Sequence, residues 1–420
     1  MEERAYDAAV IGAGAAGMAA ALRIAAAGCR VALIDREDHL GGILLQCIHN
    51  GFGLHRFNEE LTGPEFAERF SGQLVDSDRI DVLLNTTVLE MQSEGPTKSL
   101  LVCGPDCGVL KLTARAVVLA MGCRERNRGN LGIPGTRPAG IFTAGLAQRL
   151  VNIEGYIPGK RVVIVGSGDI GLIMARRMRW VGAEVLAVVE ILPHPSGITR
   201  NIVQCLNDFN IPLYLSHIVS RIVGRDRVEA VEITPLEAGR PDPDKTFRLD
   251  CDTILLSVGL IPENELSKAA GVQLDADTGG PRVDARLMTS IDGVFACGNV
   301  LHVHDLVDWA SAEATRCGDY VVAYLRDGVS ARPQGRVLPG ANVKYVVPHR
   351  YLPDAENQFS LRALIVKDIG TITVKRDGKL VKRRTLRHIR PAEMIHVKVR
   401  PADVPVVEGA DPEPLEIAIE

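Results

Sequence analysis

Short unbroken apolar runs, each closed by glycine or an acid, recur along the chain between alanine-rich or amphipathic stretches. Residues 6–35, YDAAVIGAGAAGMAAALRIAAAGCRVALID, read as a buried strand, a glycine turn, a helix and a second strand that ends in Asp35. The pattern returns at 160–190, KRVVIVGSGDIGLIMARRMRWVGAEVLAVVE, ending in Glu190. Three further apolar strands end in glycine: ARAVVLAMGCRER (114–126) at Gly122, DTILLSVGLIPEN (252–264) at Gly259 and DGVFACGNV (292–300) at Gly298-Asn299. Beyond a Pro/Gly/Arg linker at 330–341 the texture changes to short alternating runs, LRALIV, GTITVKRDGKLVKRR and EMIHVKVR. Period-two alternation with an Asp-Gly pair predicts a small β module containing a hairpin.

The two repeats carry a chemistry. Gly12, Gly14 and Gly17 have GxGxxG spacing, as do Gly166, Gly168 and Gly171. The first glycine makes a tight turn, the second lets backbone N–H groups approach a pyrophosphate, and the third permits close helix packing. Asp35 follows Gly12 by 23 residues and Glu190 follows Gly166 by 24, where a carboxylate accepts hydrogen bonds from a ribose diol and repels a 2′-phosphate. The predicted fold class is therefore α/β, with two Rossmann-like dinucleotide-binding domains and a C-terminal β module. One chain binds two dinucleotides, and Glu190 with no arginine directly after it favours NAD over NADP.

Composition narrows the class. Of 420 residues, 46% are hydrophobic and 24% charged, a globular balance, and glycine is enriched at 41 while aromatics are only 4%. A net charge of −4 supplies no field for nucleic acid or an anionic membrane. The acidic start MEERAYD and glycine-broken apolar stretch after it predict neither export nor a membrane span. Nine cysteines without a CxxC fit reduced thiols in a cytoplasm and exclude an iron-sulfur cluster held by this chain.

Over about 1–330 the chain resembles the FAD/NAD(P)-dependent oxidoreductases with two dinucleotide-binding domains, the superfamily of glutathione and thioredoxin reductases. The resemblance implies that Gly12, Gly14, Gly17 and Asp35 hold the ADP part of FAD, that Gly166, Gly168, Gly171 and Glu190 hold NAD(H), and that Gly298-Asn299 meets the flavin's ribityl-phosphate. Asn299 stands where that superfamily has aspartate. Ala15, Arg36, Gly41, Gly42, Gln46 and Gly122 flank the first site as cofactor-binding candidates, and Asp169, Ile170 and Gly259 flank the second. The implied domains are 1–125 with 268–330 for FAD, 126–267 for NAD(H) and 337–420 for the β module. The segments GGILLQCIHNGFGLHRFNEELTGPEF, FTAGLAQRLVN, GSGDIGLIMARR, PSGITRNIVQCL and GNVLHVHDLVDW look like a bacterial and archaeal subfamily that accompanies glycerol-3-phosphate-dehydrogenase-like flavoproteins. That subfamily is distantly similar to subunits of sarcosine, opine and hydroxyproline oxidoreductases. It implies an electron-transfer subunit beside a substrate-oxidising flavoprotein or iron-sulfur partner, in a homo- or hetero-oligomer.

Disulfide reductases set two cysteines against the flavin, because thiol-disulfide chemistry needs two sulfurs in bonding distance. Here GGILLQCIHNG offers Cys47 alone, a candidate catalytic group or a small buried residue. Cys103 and Cys107 flank a Gly-Pro-Asp turn read as a hairpin, and no metal site is expected, since no ligand pair with zinc spacing accompanies them. His302, His304 and Asp305 follow the third glycine-ended strand as candidates for the flavin pocket; His49, Arg124 and Arg126 are pocket or domain-crossover candidates. Residues 361–400 hold 12 Lys/Arg against 3 Asp/Glu, and 401–420 hold six acids and no base: an internal balance or a docking face for an acidic partner protein. Three functional readings stand. The first is hydride exchange between NAD(H) and FAD with a partner subunit. The second is oxidation of an amine, opine or imino acid at a pocket around Cys47–His55. The third is a flavin-stabilised scaffold without turnover.

Overall fold

The computed structural model describes residues 2–330, 332–404 and 411–420. The chain forms two compact units, one made of Met1–Cys123 with Pro262–Glu420 and the other of Arg124–Ile261.

The first unit is built on a seven-stranded sheet in which five strands, Ile80–Leu83, Val31–Ile34, Glu2–Ile11, Gly108–Leu119 and Val294–Ala296, run parallel. Toward their C-terminal ends the three inner strands and Val294–Ala296 are apolar and buried on both faces, leaving Val10, Ala32, Val118 and Val294 with no exposure. Register aligns Ile11 with Ile34 and Leu119, and Leu119 with Ala296. The residues that follow, Gly12, Asp35, Gly122 and Gly298, thus emerge along one edge, where open α/β sheets bind ligands. Gly108–Leu119 also pairs antiparallel with Thr97–Gly104, closing at Gly104 and Gly108 around the Cys103–Cys107 turn. Helix Ala15–Ala25 buries its alanine face, and helix Val307–Asp327 packs against it. A Cβ at Gly318 would lie 2.8 Å from that of Arg23, so glycine sets the helix separation.

The C-terminal part contributes a five-stranded and a three-stranded sheet that share a core of Phe359, Leu361, Ile372, Val374, Leu415 and Ile417. The Asp-Gly hairpin joins Lys367–Arg376 to Lys379–Ile389, with Asp377 at φ 49° and Gly378 at φ 71°. Tyr345 and Val347 belong to the core of the dinucleotide-type sheet, which ties the two parts of this unit together.

The second unit carries a five-stranded parallel sheet in the order Ile141–Thr143, Thr253–Leu256, Arg161–Val165, Glu184–Glu190 and Leu213–Leu215. Helix Asp169–Trp180 packs on it through Leu172, Met174, Ala175 and Met178. An antiparallel group of His217–Val223, Ala230–Glu237 and Phe247–Asp250 builds a second core around Val219, Ile222, Val231 and Ile233. Among the described residues no helix is long and apolar enough to cross a membrane.

Candidate dinucleotide sites

In the first glycine turn each position has its own constraint. Gly12 sits at φ 103°, and a Cβ there would be 2.4 Å from the Ala120 carbonyl oxygen; one at Gly17 would be 1.7 Å from that of Gly12. A Cβ at Gly14 would meet nothing within 4 Å. Gly14 is the N-cap of helix Ala15–Ala25, and no side chain caps that helix, so its leading N–H groups face the open side. Gly41 and Gly42, both at positive φ, seat the 3₁₀ turn Gly42–Gln46 on this loop, with the Gly41 N–H donating to the Ala13 carbonyl at 2.9 Å. The Asp35 carboxylate accepts from the Ala13 N–H at 2.5 Å and from the Glu37 N–H at 2.9 Å, and Arg36 beside it is exposed. An open uncapped helix start, a backbone without side chains and a half-exposed acid one strand away fit the diphosphate and ribose of FAD.

The edge is completed by Gly298. It lies at φ 73°, where a Cβ would stand 2.7 Å from that of Ala16, and its N–H donates to Glu313 at 2.9 Å. The Asn299 amide oxygen accepts from the His304 N–H at 2.9 Å, and its nitrogen lies 3.5 Å from the Cys123 sulfur. Gly122, at φ 71°, accepts the Glu263 N–H through its carbonyl.

Sequence reading placed His302 and His304 beside this edge but missed the acid between them. Glu313, 3% exposed, pairs with His302 at 2.8 Å and lies 3.6 Å from His304. Burial alone would raise its carboxyl, but the His302 and His304 imidazoles hold it well below the usual range, and burial lowers His302. Ligand atoms of these three residues lie within 4.8 Å of one another, a spacing that a cation can share. Here a hydrogen bond joins His302 to Glu313, and the His304 ring lies 4.3 Å from that of His302. Asp305 accepts the Met394 N–H at 2.8 Å, and Trp309 lies between His55 and His396, ring centroids 4.9 and 4.6 Å away. Burial pushes His396 down to about 4. Asp308, 2% exposed, accepts from the N–H groups of Gly53, His55 and Arg56, pinning the segment after Cys47 to helix Val307–Asp327.

Cys47 donates to the Ile43 carbonyl at 3.2 Å, and burial pushes its thiol up to about 12, so it is not a thiolate at neutral pH. None of the nine cysteines is bonded to another in a disulfide. Gln46 is buried, and the His49 ring packs 5.0 Å from Phe52.

The second turn repeats the first. Gly166 is at φ 90°, where a Cβ would be 2.1 Å from the Ser257 carbonyl oxygen, and one at Gly171 would be 2.6 Å from the Ser257 Cβ. Gly168 is the N-cap of helix Asp169–Trp180, again without a side-chain cap, and Ile170 packs on the unit's core. Glu190 accepts from the Ser167 N–H at 2.9 Å and the Leu192 N–H at 3.0 Å. Gly259, at φ 97°, accepts the Arg126 N–H through its carbonyl, and Arg124 opens this unit. The glycine geometry fits a dinucleotide; the surroundings of Glu190 are more crowded than those of Asp35.

Known proteins share this layout. An opine oxidase subunit of Rhizobium meliloti is 27% identical over 70% of this chain, and the hydrogen cyanide synthase subunit HcnB of Pseudomonas protegens is 28% identical over 63%. The chain spans 58% of the length of each. The crystal structure of T. acidophilum thioredoxin reductase superposes with a TM-score of 0.63 at 24% identity, covering 76% of this chain and 98% of that one, a likeness of fold. The profile of the pyridine nucleotide-disulphide oxidoreductases matches residues 6–314. The chain belongs to this family of flavin-dependent, NAD(P)H-linked oxidoreductases.

Proposed function

We propose that the chain exchanges a hydride between NAD(H) and FAD and trades electrons with a partner subunit. One observation carries this reading: two glycine turns, one in each unit, each with an acid hydrogen-bonded to the turn's own backbone at the C-terminal edge of a parallel sheet. Gly12, Gly14, Gly17, Asp35, Gly41, Gly42, Gly298 and Asn299 would hold FAD; Gly166, Gly168, Gly171 and Glu190 would hold NAD(H). FAD, when bound, supplies the hydride-accepting ring. The protein orients and excludes water, which asks for fixed backbone rather than an acid-base pair. A lone protonated Cys47 leaves dithiol chemistry out of the proposal.

The two curated relatives are named as subunits, which supports a heteromeric assembly. The subfamily resemblance favours a glycerol-3-phosphate-dehydrogenase-type partner. NADH added anaerobically to the yellow protein is expected to bleach the flavin, and NADPH to do so less well. A spectrum indifferent to both would refute the proposal.

A second reading, direct oxidation of an amine, opine or imino acid, draws on the segment of Gly53, His55 and Arg56 held against Trp309 by Asp308. It requires that such a substrate alone reduce the flavin.

A further inference from the structure

The two cradles match in their backbone and differ in what surrounds the acid. Asp35 is half-exposed and takes two donors, the N–H groups of Ala13 and Glu37. Glu190 is 3% exposed and takes four. Besides the equivalent N–H groups of Ser167 and Leu192, it accepts the Ser167 hydroxyl at 2.5 Å and the Ser196 hydroxyl at 2.8 Å. A carboxylate offers about four lone-pair sites. Asp35 takes one donor on each oxygen and keeps room on both for the two hydroxyls of a ribose, whereas three of the four donors to Glu190 crowd its Oε2 and leave room on Oε1 alone.

One of the two extra contacts, that of Ser196, comes from outside the turn, from segment 193–201. Ser196 also donates its N–H to the Ser167 hydroxyl at 2.9 Å. Asp169 accepts from the Ile198 N–H at 2.9 Å and the Asn201 amide at 2.7 Å. A Cβ at Gly197 would lie 2.9 Å from the Ser167 carbonyl oxygen and 3.0 Å from Asp169, so only glycine lets the segment lie this close to the turn. In the first cradle the positions of Ser167 and Asp169 are Ala13 and Ala15, whose methyl side chains can hold no such segment.

We propose that Ser196 is a specificity-determining residue of the second cradle: with Ser167 it fills Oε2 of Glu190, one of the two oxygens that the diol of an adenosine ribose needs, so a pyridine nucleotide binds by displacing segment 193–201. The proposal rests on the NAD(H) reading above. It makes the adenosine half of the nucleotide, rather than the nicotinamide, the part that the segment opposes.

The test titrates the full-length, FAD-loaded chain with NADH and with reduced nicotinamide mononucleotide, which lacks the adenosine ribose. Ser196→Ala is expected to lower the NADH Kd about fivefold to tenfold, tenfold being 1.4 kcal/mol, and to leave that of the mononucleotide where it was. Asn201→Ala, which removes one of the segment's two contacts to Asp169, is expected to lower the NADH Kd as well and serves if Ser196→Ala does not fold. An NADH Kd that is unchanged or raised in the variants, or an equal fall for the mononucleotide, overturns the proposal while the NAD(H) reading stands. Loss of all NADH binding in the wild type and both variants, with FAD retained, overturns both.

Discussion

Gly17→Ala is expected to yield no soluble flavoprotein, whereas Gly14→Val yields a folded chain that purifies almost colourless. The difference lies in where each Cβ points. At Gly17 it would stand 1.7 Å from the Gly12 carbonyl oxygen, so helix Ala15–Ala25 must leave the sheet. Gly12→Ala adds a second kind of strain, a left-handed φ of 103° together with 2.4 Å to the Ala120 oxygen. Either change costs about 3–5 kcal/mol, the range of severe core substitutions and a large share of a domain's stability. Gly14 has φ −74° and ψ −173°, which any residue adopts, and open space beyond its Cα. Its thermal midpoint should stay within a few degrees of wild type. A valine there fills the space in front of the uncapped helix start, so FAD affinity should fall at least tenfold, about 1.4 kcal/mol or more. Far-ultraviolet circular dichroism and the flavin-to-protein absorbance ratio separate the two outcomes. A bright yellow Gly14→Val protein would remove the diphosphate from this turn.

Much of this was readable along the chain because the signals are local. Glycine spacing, a following helix and a terminal acid lie within about thirty residues of each other, and the strands Val31–Ile34, Arg161–Val165 and Glu184–Glu190 stand where the apolar runs put them, while Glu2–Ile11 begins four residues before its run, in exposed polar residues. Strand ends were less legible. Gly108–Leu119 stops three residues before Gly122, and Thr253–Leu256 three before Gly259, because the closing glycines sit in the turns beyond the pairing. Of the polar cluster behind Gly298 the sequence offers His302 and His304, but not Glu313 and His396, which come to them through tertiary packing. One local signal did exist: Glu313 falls within the buried stripe Ala310, Ala314, Cys317 and Val321 of a helix, where a charge demands partners. The crowding of Glu190 had no such signal, because Ser196 reaches it only through the fold of an irregular segment.

That cluster makes the strongest stability prediction outside the glycines. Glu313→Leu leaves the Gly298 N–H and the His302 ring nitrogen without an acceptor in a closed core, and should cost about 3–5 kcal/mol by urea unfolding. Glu313→Gln keeps the shape and one acceptor, and should cost less. The same cluster fixes an acid limb. Burial holds His396 at about 4 and lowers His302, so both take up protons more readily after unfolding, where the ordinary value is about 6.5. The unfolded chain then binds more protons than the folded one below pH 6.5, and stability must fall with pH across that window. For His396 alone the fall ends near pH 4 and amounts to about 3 kcal/mol. Glu313, held ionised in the fold, adds a further loss once the pH drops below the ordinary carboxyl value, because the unfolded carboxylate protonates first. His396→Gln should therefore flatten the slope between pH 6.5 and 4 and leave the steeper loss below it. An unaltered slope in that variant would mean that His396 is protonated in the folded state, and that Asp305 and Glu313, the acids facing it, outweigh its burial.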